Sequence, residues 1–184
     1  MIDLESIRKA LPDSARDIRL NLGSMLGNDG LPELETDQKW GAALAAAIAA
    51  RNVALTRVVE ALAAENTSAQ VIEGARISAA IMAMTNIYYR ALHMAGDADL
   101  SGLPAGLRMN GLAKHGVSQR DFELFGLAAS AVKGCENCIA AHVSGAREHG
   151  ASVQAVQAVI KLAAVLHATA TVLDTVPDAP AEAA

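Results

Sequence analysis

The segment SQRDFELFGLAASAVKG, running from Ser118 to Gly134, is written in the grammar of an α-helix. Ser118 has the short polar side chain of an N-cap. Asp121, three residues on, completes a capping-box pattern, with a shorter acid than the usual Glu. The helix predicted from it runs to Lys133, and Gly134 supplies a C-terminal stop. Cys135 then opens a further helix to about His149-Gly150, and Ser152 caps a last long one. The tail from Pro177 reads as loose. Upstream the pattern is the same. Pro12-Asp13-Ser14 separates a short opening helix from one ending near Met25, and Gly27 to Pro32 is a loop by its turn chemistry. Thr36 or Asp37 can cap a helix through Arg51, and Asn52 sits at a junction. Thr67 or Ser68 can cap a long helix with Ile77, Ile81 and Met84 on one face, ending near His93. Gly96 to Gly106 reads as a loop.

Composition points the same way. Hydrophobic residues are 52% of the 184, yet aromatics are only 3%, and much of the apolar content is Ala. Ala is the strongest helix former, whereas strands favour aromatic and β-branched residues. The expectation is an all-α fold, with helices drawn close through small side chains. The length suits one domain, here 1–176 followed by a loose tail 177–184. A slide of 85 positions lays Trp40-Gly41 on Phe125-Gly126, Asn52 on Asn137 and Val58 on Val143, which suggests repeat units 36–95 and 118–174. Only the second unit would carry chemistry, since Ala50, Val53 and Arg57 stand where Cys135, Cys138 and His142 would be.

Charged residues at 19% and a positive mean hydropathy exclude a disordered chain. A net charge of −5 argues against a dedicated nucleic-acid binder. The N-terminus lacks the order of a signal peptide. Arg51 stops the apolar run from Gly41, while Lys161 and His167 interrupt the Ala-rich stretch near the end, so no membrane span is expected. The expected location is cytoplasmic, where a close Cys pair is more often catalytic or metal-binding than structural.

Cys135, Cys138 and His142 follow i, i+3, i+7 spacing, which puts them on one helix face. Gly134 places the pair in a first turn, where free backbone N–H groups and the helix dipole stabilise a thiolate. His142 can accept or relay a proton as the sulfur changes charge. Three readings follow: inert core thiols, a dithiol redox pair, or a zinc site drawing a fourth ligand from Glu123. Glu123 lies among apolar residues and is either a base working through His142 or a solvated surface group. His167, in an Ala/Val/Leu helix, reads as a packed core or interface residue. His93, His115 and His149 read as exposed, Glu136 as solvated, and Tyr88-Tyr89 as packing.

Phe122-Glu123-Leu124-Phe125, then Ser130 to Gly134, then Cys135-x-x-Cys138-Ile139-Ala140-Ala141-His142 together resemble the alkylhydroperoxidase D family of the carboxymuconolactone decarboxylase-like superfamily. The likeness continues through Leu11-Pro12 with Asp17 to Leu22, Ala80 to Asn86 and Leu107 to Asn110. It implies an all-helical homotrimer and a cytoplasmic antioxidant enzyme that reduces organic hydroperoxides. It also implies regeneration of a partner peroxiredoxin, alkyl hydroperoxide reductase C. Electrons would come from dihydrolipoamide on a lipoyl-bearing 2-oxoacid dehydrogenase component, with no bound cofactor and no metal. By motif position, Cys138 would attack the peroxide and pass through a sulfenic acid. Cys135 would donate a proton and close the disulfide, and Glu123 and His142 would relay protons. Asn137 stands where some members carry His; an amide cannot relay protons, so the relay rests on Glu123 and His142. The alternatives are a zinc-binding or redox-sensing helical module, and a decarboxylase of the carboxymuconolactone type, whose chemistry needs no Cys pair.

Overall fold

A computed structural model describes residues 3–27 and 29–175. Every regular element among them is helical, as the Ala-rich, aromatic-poor composition predicts. The helices are α1 (Leu4–Ala10), α2 (Arg16–Leu26), α3 (Thr36–Ala50), α4 (Val53–Asn66), α5 (Ala69–Ala95), α6 (Ala98–Ser101), α7 (Gln119–Lys133), α8 (Glu136–Glu148) and α9 (Val153–Thr175). Short 3-10 turns occupy Asp13–Ala15 and Asn110–Leu112. The expected tail 177–184 lies outside the described residues.

α3 is the central element, packed on α4, α5, α7 and α9. Ala42, Ala43, Leu44, Ala45, Ala46 and Ala47 are fully buried, so this helix is apolar on every side. Small side chains let its neighbours approach. A Cβ built on Gly41 would collide with the tip of the Phe125 ring, at Cζ, so that glycine is the socket in which α7 seats this buried aromatic residue. α3 and α7 run side by side in one direction. Arg120 pairs with Glu35 at 3.0 Å, and the Gln38 amide donates to the Asp121 carboxylate at 2.9 Å, joining the two N-termini.

Several local expectations need correction. Glu35, not Thr36 or Asp37, caps α3, closing a box with Gln38. Ser118 caps α7 as predicted, but Asp121 does not close the box, because its carboxylate turns outward to Gln38. The Gly96–Gly106 segment contains the single turn α6, capped by Asp97. On α5 Ile77, Ile81 and Met84 share one face, as expected, and all three are half-buried; the buried face is another. It is Val71, Ala75, Ser78, Ala79, Met82, Thr85 and Asn86, because only small or slender residues fit against α3 and α7. Ile77 and Ile81 instead pack over Gly111 and hold the second 3-10 turn. The reading that Lys161 and His167 break the final apolar stretch was too strict: α9 has the length and apolarity of a bilayer span, with half of its most apolar window buried inside the domain. His167 points away from the core and is exposed, since the inward face of α9 is Leu162, Val165, Leu166 and Thr169.

The two halves share an order of helices. α3, α4 and α5 have 15, 14 and 27 residues, and α7, α8 and α9 have 15, 13 and 23. Matched by their caps, Glu35 falls on Ser118, Asn52 on Cys135 and Ser68 on Ser152, slightly short of the register that the side-chain matches imply.

Candidate active site

α7 ends where Gly134 takes the left-handed conformation at φ 64°, a backbone state that costs glycine nothing. The chain turns at once, and Cys135, extended, becomes the N-cap residue of α8. Its side chain makes no capping hydrogen bond, and Cys138 stands one turn further on. The two are joined as a disulfide, with Cα atoms 5.3 Å apart, inside the ordinary range for such a bridge. Their exposure differs in a way that matters for chemistry. Cys135 is 0% exposed, and Cys138 is 7% exposed and lines a cavity of about 340 Å³. His142, Asn137, Met82, Tyr89 and Leu112 are among the other walls, and the lining is mostly apolar.

Behind that wall His142 and Glu123 are hydrogen-bonded. His142 Nδ1 is 2.7 Å from Glu123 Oε2, and both side chains are largely buried, at 12% and 17% exposure. Glu123 is therefore not the solvated surface carboxylate that its residue type alone would allow. The Gln119 amide donates to its other oxygen at 2.7 Å. Burial pushes the Glu123 carboxyl upward, but the hydrogen bonds from His142 and Gln119 and the charges of His142 and His149 outweigh it, leaving it below the ordinary 4.5. An ionised Glu123 requires the proton on His142 Nδ1. The opposite nitrogen, Nε2, faces Met82 Sδ at 3.0 Å, and the Thr85 hydroxyl lies 3.6 Å from that sulfur.

Two glycines make room for this pair. A Cβ on Gly126 of α7 would lie 2.5 to 2.8 Å from three atoms of the His142 ring. A Cβ on Gly145 of α8 would lie 2.8 Å from the Glu123 carboxyl carbon. Each helix thus carries one ionisable residue and, facing its partner's, a position with no side chain. Sequence reasoning used Gly126 only as a repeat marker and overlooked Gly145; the available signal was glycine inside helices that do not break there. Met82 and Gln119 were also missed, because nothing local marks them.

The remaining residues are scattered. Glu136 is exposed and 3.3 Å from the exposed His93. His149 is exposed, its Nδ1 2.8 Å from the Gly145 carbonyl oxygen. His115, expected to be exposed, is half-buried because it stacks on Phe122 with ring centres 4.1 Å apart. Tyr88 and Tyr89 pack edge to face, and Tyr89 also lines the cavity. A larger cavity of about 480 Å³ lies beside Lys39 and Trp40, remote from the cysteines. Lys39 donates to the Gly27 carbonyl at 2.6 Å, and burial lowers its amine below the ordinary 10.5, opposed by Asp29. Among the described residues no group of three or more His, Cys, Asp or Glu side chains is placed to hold a metal.

The arrangement puts a hydrogen-bonded imidazole on the same cavity as Cys138, shields the Cys135–Cys138 bridge from bulk solvent and leaves one of its sulfurs open to an apolar reactant. The carboxymuconolactone decarboxylase family profile matches residues 98–177, which span the Cys turn and both Glu123 and His142. Over 94% of its length the chain is 47% identical to a protein of Rhodospirillum centenum named alkyl hydroperoxide reductase AhpD, covering 91% of that relative. A relative of the same name from Anaeromyxobacter sp. strain K is 46% identical with both chains covered completely. Another, from Streptomyces avermitilis, is 44% identical over 93% of this chain and 95% of its own.

Proposed function

Because the chain belongs to the AhpD family of alkyl hydroperoxide reductases, we propose that it reduces organic hydroperoxides through the Cys135–Cys138 dithiol, with Cys138 as the attacking sulfur. The observation that carries this reading is the asymmetry of the pair. Cys138 opens on the cavity with His142, and Cys135 sits behind it, fully buried. In the reduced enzyme, His142 draws the Cys138 proton, and Glu123 stabilises the imidazolium that forms. The first turn of α8 stabilises the thiolate. The thiolate attacks the terminal peroxide oxygen. An S–O bond forms and the O–O bond breaks. Cys138 becomes a sulfenic acid, and the leaving alkoxide takes the Cys135 proton to depart as an alcohol. The Cys135 thiolate then attacks the Cys138 sulfur. The disulfide forms, the S–O bond breaks, and the departing hydroxide takes the proton held on His142 to leave as water. An external dithiol reopens the bridge by exchange, which the small closed loop makes easy.

The family resemblance supports dihydrolipoamide, carried by a lipoyl-bearing 2-oxoacid dehydrogenase component, as that dithiol. It also supports a partner peroxiredoxin as a second oxidant of the Cys pair, a homotrimeric assembly and a cytoplasmic setting. Exposed apolar residues such as Ile87, Met94 and Leu103 are material for subunit contacts.

The test is a reconstituted assay with dihydrolipoamide and cumene hydroperoxide, with and without a peroxiredoxin. Cys138→Ser abolishes turnover. Cys135→Ser leaves a sulfenic acid or mixed disulfide on Cys138, visible by mass spectrometry after dimedone trapping. Turnover that survives Cys138→Ser, or a Cys135→Ser protein that forms neither adduct, rules out this assignment. A monomer by light scattering at micromolar concentration rules out the trimer.

A further inference from the structure

The Glu123–His142 pair does not end at Glu123. Its outer oxygen, Oε1, accepts from Gln119 Nε2 at 2.7 Å. Gln119 Oε1 lies 3.3 Å from His115 Nε2, and His115 Nδ1 accepts from the Val117 backbone N–H at 3.3 Å. These contacts fix one another. The Val117 amide can only donate, so His115 Nδ1 carries the lone pair and Nε2 carries the proton. That proton can only go to the Gln119 oxygen, which turns the Gln119 NH2 toward Glu123. Each bond therefore points the same way, from a backbone amide to a carboxylate oxygen. The base of the chain is held by packing, since the His115 ring lies nearly parallel to that of Phe122, itself 1% exposed.

We infer that Gln119 is a positioning residue for Glu123, anchored by His115, so that a directed line of three hydrogen bonds from the Val117 amide holds one carboxylate oxygen and leaves the other for His142. This rests on the reading of Glu123 and His142 as the proton relay of a hydroperoxide reductase. A glutamate with one oxygen unpartnered could rotate about its last bond and lose the 2.7 Å contact to His142. Gln119 removes that freedom and donates to the ionised form. Gln119 does not line the cavity, and its hydrogen bond toward the site goes to Glu123. The titratable groups facing Glu123 are His142 of α8 and His149, the residue that caps the C-terminus of α8.

Two readouts on the full-length protein test this. One is the pH titration of the Glu123 carboxyl by carbon NMR in the oxidised protein, which needs no turnover. The other is the acid limb of hydroperoxide turnover. Gln119→Leu is expected to move both to higher pH, with turnover at pH 5 falling about three- to tenfold further below its own plateau than in the wild type; this range is reduced for the exposure of Gln119. His115→Phe keeps a ring on Phe122 and moves both in the same direction by less. Gln119→Lys restores a donor with positive charge and returns the titration to the wild-type position or below. A purely structural role would not reverse sign between Leu and Lys. If Gln119→Leu fails to fold, Gln119→Glu replaces the donor by a like charge at nearly the same size and shifts the titration upward further. A Glu123 titration unmoved by Leu, Glu and Lys overturns the inference. A wild type without hydroperoxide turnover overturns the functional reading alone, because the NMR titration still decides whether Gln119 holds Glu123.

Discussion

Gly126→Ala sets two effects of known size against each other. Inside an exposed helix, Gly to Ala gains about 1 kcal/mol from propensity. Gly126 is buried, and an added Cβ would stand 2.5 Å from His142 Cε1, 2.7 Å from Nε2 and 2.8 Å from Nδ1. Real side chains do not tolerate such contacts, so the ring must shift. It has little freedom, being pinned by Glu123 at 2.7 Å on one edge and packed on Met82 at 3.0 Å on the other. Overpacking at such a site costs about 1–3 kcal/mol. The balance is a net loss of about 0–2 kcal/mol in urea unfolding, a small change. The effect on turnover is expected to be much larger. Displacing the imidazole breaks the hydrogen bond that orients it, and a misplaced general base costs about a hundredfold. The diagnostic result is therefore a nearly normal stability beside a collapse in turnover, with the Cys135–Cys138 bridge still forming. A variant that gains about 1 kcal/mol and keeps full activity would refute the reasoning. It would mean that the ring yields without cost and that its position does not matter.

Other outcomes follow from the same geometry. Glu123 is ionised at neutral pH, and its folded value lies below the ordinary 4.5. Its pairing therefore contributes stability that is present above the unfolded value and lost as pH falls through the folded one. In Glu123→Gln the urea midpoint should fall less steeply with acid than in the wild type, and parallel curves would count against a stabilising role for the Glu123 carboxylate. Gly134→Ala puts a Cβ into open space but onto a backbone at φ 64°, so about 1 kcal/mol of stability should be lost through the cap alone. An unchanged thermal midpoint would mean that the turn can relax. Ser118→Ala removes the acceptor for the Asp121 amide, 3.1 Å away, and should cost about 1 kcal/mol, with Ser118→Asp restoring it. Leu127→Ala in the fully buried face of α7 should cost about 2–5 kcal/mol by chemical denaturation.

The helices and the Cys turn were legible in the linear order of residues because their causes are local. Ala content sets helix over strand, Gly134 can end α7 where a side chain would be strained, and two cysteines three apart can meet across one turn without help from the rest of the chain. The position of His142 on the cysteine face is likewise a matter of spacing along a single helix. None of this says where Glu123 points. Nineteen residues separate it from His142, and their meeting depends on the angle and closeness of α7 against α8. That approach is permitted by two absent side chains, Gly126 and Gly145, each of which matters only because of an atom on the other helix. Met82 reaches the site across sixty residues, and Gln119 gains its role only once Glu123 has been fixed. Short-range chemistry is set by neighbours along the chain and can be read there. The ionisation of a buried carboxylate, the choice of which sulfur meets a reactant and the shape of the cavity depend on how surfaces distant in sequence exclude water from one another.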